Sequence, residues 1–198
     1  TRILLHDTSL FPTPRPEPVP SELPVRLTSF IGRWKEQAEV DTMLQEHRLV
    51  TISGVGGVGK TSLAVEVVRN ASGSHPDGTW MVRLAPLGDA GLVESEVADA
   101  LGLEADQTRD VTAQIVAHLT GRRALLLLDN CEHVADAVAG LVHHLLQQCA
   151  ELRVLATSRV PLGVGGDDDR RCSVCGVEQQ KGEVMDLVRS GAEEVHKC

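Results

Sequence analysis

Residues 54–61 read Gly-Val-Gly-Gly-Val-Gly-Lys-Thr, the complete GxxxxGK[ST] pattern of a phosphate-binding P-loop. The flanks are those the pattern requires. Arg48-Leu49-Val50-Thr51-Ile52-Ser53 precedes it as a short apolar strand, and Ser62-Leu63-Ala64-Val65-Glu66-Val67-Val68 continues it as a helix that opens at Lys60. Successive N–H groups of such a loop form an anion nest, and the dipole of the helix adds positive potential at its mouth. Gly54, Gly56, Gly57 and Gly59 let the chain turn tightly and let phosphates approach the backbone around Val55 and Val58. Lys60 is placed to reach β- and γ-phosphates, Ser62 lies in the first helical turn, and the Thr61 hydroxyl is a Mg²⁺ ligand. The alternative is a glycine-rich turn with no ligand.

The rest of the chain supplies a scaffold for that loop. Apolar segments at Thr79–Leu84, Ala124–Asp129 and Leu152–Thr157 read as further strands. Helical patterns fall at 34–47, 60–70, 92–101, 111–119 and, with a clear apolar stripe, from Val134 to Cys149. Strands alternating with helices imply a mostly parallel sheet covered on both faces, so the fold class is α/β, a P-loop NTPase three-layer sandwich. At 198 residues, 42% of them hydrophobic, the chain can bury one core of that kind. Residues 1–26 are set apart as a linker, because most of the nine prolines crowd into 11–24 and favour an extended spacer. The folded domain is expected at 27–166 and a divergent tail at 167–198.

The net charge of −9 offers no basic field for nucleic acid or a membrane surface. No apolar run approaches the roughly 20 residues of a membrane helix. The N-terminal residues lack the features of a signal peptide, so the expected location is cytoplasmic. The chain does not begin with Met and is read as a piece of something longer.

Two further positions complete the P-loop chemistry. Asp129 ends the third strand, where an acid would hold Mg²⁺ together with Thr61. The next residue, Asn130, is an amide that cannot accept a proton. Glu132 is a candidate base from the following turn, or else an acid favoured by a helix start. Arg159, just past the fourth strand, is a candidate sensor of γ-phosphate charge, or else a surface arginine.

With these pieces in place the chain resembles the STAND class of signal-transduction ATPases, and in particular the NB-ARC-like module of large bacterial SARP-type and LuxR-type transcription regulators. The words that carry the resemblance are Leu27-Thr28-Ser29-Phe30-Ile31-Gly32-Arg33 with Glu36, the P-loop and its strand, and Leu127-Leu128-Asp129-Asn130-Cys131-Glu132-His133. Leu155-Ala156-Thr157-Ser158-Arg159, followed by Pro161-Leu162-Gly163-Val164, completes them. The resemblance implies that Ile31, Gly32 and Arg33 pack at the adenine side, and that the cofactors are ATP or ADP with Mg²⁺. It implies a nucleotide switch with slow or no hydrolysis, whose protein partners or self-association depend on domains outside this segment. A non-switching interaction fragment and a P-loop phosphotransferase are the rival readings. After Gly166 the sequence leaves the family pattern, so the last strand of the sheet and the helical lid are expected to be missing.

The tail carries Cys172-Ser173-Val174-Cys175-Gly176, the knuckle with which many zinc ribbons begin. His196 and Cys198 are the remaining candidate ligands, spaced more tightly than usual, and zinc is not the expected occupant. A short helix is predicted over 183–189.

Overall fold

The computed structural model describes residues 32–103, 110–160, 162 and 169–173. The element order is α1 (Trp34–Glu46), β1 (Leu49–Ser53), α2 (Lys60–Ala71), β2 (Thr79–Arg83), α3 (Val93–Ala100), α4 (Val111–Leu119), β3 (Leu125–Asp129), α5 (Ala135–Gln148), β4 (Arg153–Ser158) and β5 (Asp169–Ser173). The strands form one sheet in the order β2-β3-β4-β1-β5, and every pairing is parallel.

Strand alternation divides the core into two layers of packing. On one face Val50 and Ile52 of β1, Leu125 and Leu127 of β3 and Leu155 of β4 meet Val40 and Leu44 of α1 and Leu63, Ala64, Val67 and Val68 of α2. On the other face Leu49, Leu126, Leu128, Val154 and Ala156 meet α3, α4 and the Val138, Leu141, Val142 and Leu145 stripe of α5. Neighbours along one strand thus point into opposite layers, which is why β1 and β3 are buried at every position and mostly apolar rather than alternating. This is the three-layer arrangement expected from the sequence.

The expected loss of the last strand is corrected. β5 runs beside β1 in parallel register, Leu49 opposite Asp169 through Ser53 opposite Ser173. The segment Asp169-Arg170-Arg171-Cys172-Ser173 has no apolar signature, and an edge strand needs none, since its pairing is made by backbone groups. The edge strand therefore lies in the stretch that was set apart as tail. The helix predicted over 183–189 and the proline-rich segment lie outside the described residues.

Local chemistry fixes the element boundaries that matter for the site. Gly59 precedes α2 with φ +83°, a left-handed conformation that costs an L side chain about 1–2 kcal/mol, so glycine suits the position. Asn130 is the only described non-glycine residue with positive φ, at 67°. Asparagine tolerates that region, and the bend turns the chain from β3 into the 3-10 turn Cys131–His133.

Candidate nucleotide site

Because the strands are parallel, the C-terminal ends of β1, β3 and β4 lie on one edge of the sheet. Clefts at that edge are where open α/β sheets hold ligands. β1 delivers the P-loop, β3 delivers Asp129, and β4 delivers Thr157, Ser158 and Arg159.

The three strand ends are tied through one carboxylate oxygen. Thr61 Oγ1 donates to Asp129 Oδ1 at 2.7 Å, and Thr157 Oγ1 donates to the same oxygen at 2.6 Å. Thr157 Oγ1 in turn accepts the backbone N–H of Asn130 at 2.9 Å. Asp129 and Thr157 are buried, so these bonds have little competition from water. Thr61 and Asp129 are thereby brought together as the sequence led one to expect. Thr157 is the functional residue that sequence reasoning missed. Its only signal was a hydroxyl at the end of an otherwise apolar strand, and that acquires meaning once β4 is known to neighbour β3.

Lys60 folds back over the loop, with Nζ donating to the carbonyls of Gly54 at 2.8 Å and Val55 at 3.0 Å. The ammonium is thus held across the loop. Arg33 comes from the other side. A Cβ at Gly59 would lie 3.7 Å from Arg33 Nη1, and that nitrogen is buried without a hydrogen-bond partner among the described residues. Gly32 beside it has φ +102°. Ile31 lies outside the described residues. Val55, Gly56, Gly57 and Ser62 are exposed, whereas Gly54, Val58 and Gly59 are half-buried.

Arg159 and Glu132 meet each other. Arg159 Nε lies 2.8 Å from Glu132 Oε1, and the guanidinium stands over the loop, 3.6 Å from where a Cβ on Gly56 would be. His133 braces the same turn. Its Nε2 lies 2.9 Å from the Leu84 carbonyl, which only accepts, so Nε2 carries the proton and Nδ1 accepts from the Asn130 amide at 3.4 Å. Cys131 is buried, and its thiol is pushed up to about 12, by burial first and then by the charges of Asp129 and Glu132. It is therefore a packed thiol, not a nucleophile.

The donor set fits the group that a P-loop implies. Thr61 and Asp129 present hard oxygen atoms side by side, as Mg²⁺ requires, and the Lys60 ammonium offers donors to anionic oxygen. Of the zinc candidates, Cys172 occupies a β5 position paired with Ile52, while Cys175, His196 and Cys198 lie outside the described residues. Among the described residues no group of three or more His, Cys, Asp or Glu could hold a metal ion, and no helix is long and apolar enough to cross a membrane.

Comparisons with known proteins speak to the family and the fold. A putative HTH-type transcriptional regulator of Mycobacterium tuberculosis is 45% identical over 126 residues, covering 63% of this chain and 14% of that protein. The regulatory protein AfsR of Streptomyces griseus is 35% identical over 179 residues, covering 80% of this chain and 18% of AfsR. The chain thus spans well under a quarter of the length of these two relatives. Among solved structures, a Signal Transduction ATPase with Numerous Domains carrying a tetratricopeptide repeat sensor, from Pyrococcus horikoshii, superposes with a TM-score of 0.53 at 19% identity, over 79% of this chain and 25% of that one. Cdc6p from Pyrobaculum aerophilum superposes with a TM-score of 0.55 at 16% identity, over 89% of this chain and 52% of that one. Likeness at that identity speaks for the fold, which is that of P-loop NTPases. The NB-ARC domain family matches residues 35–178, which include the P-loop, Asp129, Arg159 and the edge strand, and the chain belongs to that family.

Proposed function

We propose that the chain is the ATP- or ADP-binding switch module of a signal-transduction or transcription regulator, working in the cytoplasm with Mg²⁺ and with slow or no hydrolysis. The observation that carries this reading is the junction of Thr61 and Thr157 on one oxygen of Asp129, beneath a loop already spanned by Lys60. In that reading Thr61 and Asp129 hold Mg²⁺, Lys60 and the loop N–H groups hold the phosphates, and Arg33, with Ile31 and Gly32, lies toward the base. Arg159 senses the terminal phosphate. The regulator relatives support a role in control of transcription, exerted with protein partners or self-association through other domains.

Slow turnover follows from the residue after Asp129. Asn130 offers no carboxylate, and its backbone N–H is committed to Thr157. Turnover is expected far below the enzyme median of about 10 per second.

The deciding experiment is thermal unfolding with Mg²⁺ and millimolar ATP or ADP. Ligand at one hundred times its dissociation constant adds about 2.7 kcal/mol by mass action, a rise of several degrees. Lys60→Ala should lose most of that rise, because the phosphates lose the loop's own cation. A melting temperature indifferent to both nucleotides would favour a non-switching interaction fragment. Phosphate transfer to an added acceptor at many turnovers per second would favour a phosphotransferase.

A further inference from the structure

Glu132 sits in the 3-10 turn after β3, Arg159 directly follows β4, and the two strands are neighbours in the sheet. Their side chains pair at 2.8 Å through Arg159 Nε and Glu132 Oε1. The partners are unequal. The Glu132 side chain is 17% exposed and the Arg159 side chain 64%. The carboxylate is therefore the fixed member, and without it the arginine would be an exposed, rotamer-rich side chain. Glu132 Oε2 is buried with no hydrogen-bond partner among the described residues, so no second donor draws the carboxylate away from the arginine.

The geometry of the pair matters as much as its existence. Glu132 Oε1 meets the guanidinium at its inner nitrogen, Nε. Cζ and Nη2 lie 3.6 Å and Nε 3.7 Å from the position of a Cβ on Gly56, so the guanidinium lies with its flat side over the P-loop and its N–H edge free to meet a ligand beside it. A planar fork held in this way has its donors pre-oriented for phosphate oxygens, and little further freedom is lost on contact.

We propose that Glu132 is a positioning residue that holds Arg159 over Gly56 with its terminal amino groups ready for the third phosphate of a nucleoside triphosphate, and so sets the preference for triphosphate over diphosphate. This rests on the reading of Arg159 as the γ-phosphate contact. It assigns Glu132 a role in binding selectivity that is separate from proton abstraction. A carboxylate that merely sequestered the arginine would have the opposite effect, since its removal would raise the preference for ATP.

The test is calorimetric titration of the full chain with Mg·ATP and Mg·ADP, read as the ratio of the two dissociation constants. Arg159→Ala is expected to lower ATP preference about tenfold, the size of one charge-assisted hydrogen bond. Glu132→Ala should reproduce most of that loss, and Glu132→Gln, which keeps an oxygen acceptor for Nε–H, should recover part of it. The double variant should be no worse than Arg159→Ala alone. Should Glu132→Ala not fold, Glu132→Asp carries the test, because it keeps the charge but is too short to keep the contact, and it should behave as Ala does. The proposal is overturned if Arg159→Ala lowers the ratio while the Glu132 variants leave it unchanged or raise it. If Arg159→Ala leaves the ratio unchanged, the γ-phosphate reading itself falls, and if the wild-type chain binds neither nucleotide, the switch-module reading falls.

Discussion

Asp129 Oδ1 is the atom on which the site converges, and Thr157 is what keeps it there. The Thr157 hydroxyl donates to Asp129 and accepts from the Asn130 N–H, so it supports the carboxylate at the end of β3 and the left-handed turn that follows. Thr157→Val preserves shape and removes both bonds, leaving the partly buried Asn130 N–H without that partner. A cost of about 2 kcal/mol is expected in urea unfolding, together with weaker Mg²⁺-dependent stabilisation by nucleotide, and Thr157→Ser should restore both. A variant as stable as wild type would show that the network contributes nothing. Gly78 makes a second residue-scale case. It has φ +138°, and an added Cβ would fall 2.1 Å from the ring of Trp80, which is buried in the core. Gly78→Ala is expected to lower stability by about 2–3 kcal/mol, more than a typical surface change, in the same assay. The strand–loop–helix frame of the P-loop, and the places of Asp129 and Arg159 at the ends of β3 and β4, were legible in the sequence because each is marked by its own local segment. Thr157 and the Glu132–Arg159 pair were not legible as a unit, because residues 28 and 27 positions apart meet only through the order of the strands.

At the scale of elements, periodicity located the five described α-helices and the first four strands to within a few residues, since their apolar patterns match burial on one or both sides. β5 escaped because pattern reading detects burial, and this strand joins the sheet through its backbone. Packing between elements also has a polar component that periodicity does not display. Arg153, the first residue of β4, donates from Nη1 to the His47 carbonyl at 2.8 Å and from Nη2 to the Gln45 carbonyl at 3.2 Å. It thus satisfies carbonyls at the end of α1 and fastens that helix to the sheet. Arg48 treats the end of α5 in the same way, with Nη1 on the Leu146 carbonyl at 2.8 Å. Arg153 lines two cavities at the edge opposite the P-loop and Arg48 one of them, and this capping accounts for their presence there. Arg153→Met keeps the stem and removes the fork. It is expected to destabilise the fold by about 2 kcal/mol in urea unfolding while leaving nucleotide affinity within twofold. Equal loss of affinity and stability would mean that α1, and with it Arg33, is not independently seated.

For the whole molecule, the buried titratable groups set the pH range over which the fold is at full strength. Burial, and then the nearby positive charges of Arg153 and Arg123, hold His75 below its ordinary value of 6.5, although its bond to the Ala71 carbonyl opposes this. Burial and the Arg122 charge do the same to His118. The folded chain therefore takes up these protons less readily than the unfolded chain. Their contribution is complete above pH 6.5 and is lost as the pH falls below it. The cysteines act in the other direction. Burial raises Cys149 above 9.0 and pushes Cys131 up to about 12, so both remain thiols in the folded chain where the unfolded chain already loses the proton. Their contribution is complete below pH 9.0 and declines above it, most of all through Cys131. Urea unfolding as a function of pH should thus give a plateau between pH 6.5 and 9.0 with a fall on each side. Cys131→Ala, less stable at pH 8 for the lost packing, should lose less between pH 8 and pH 10 than wild type. Parallel alkaline declines in the two proteins would mean that the Cys131 thiol ionises as easily in the folded chain as in the unfolded one, and that the turn after β3 is open to solvent where it is closed here.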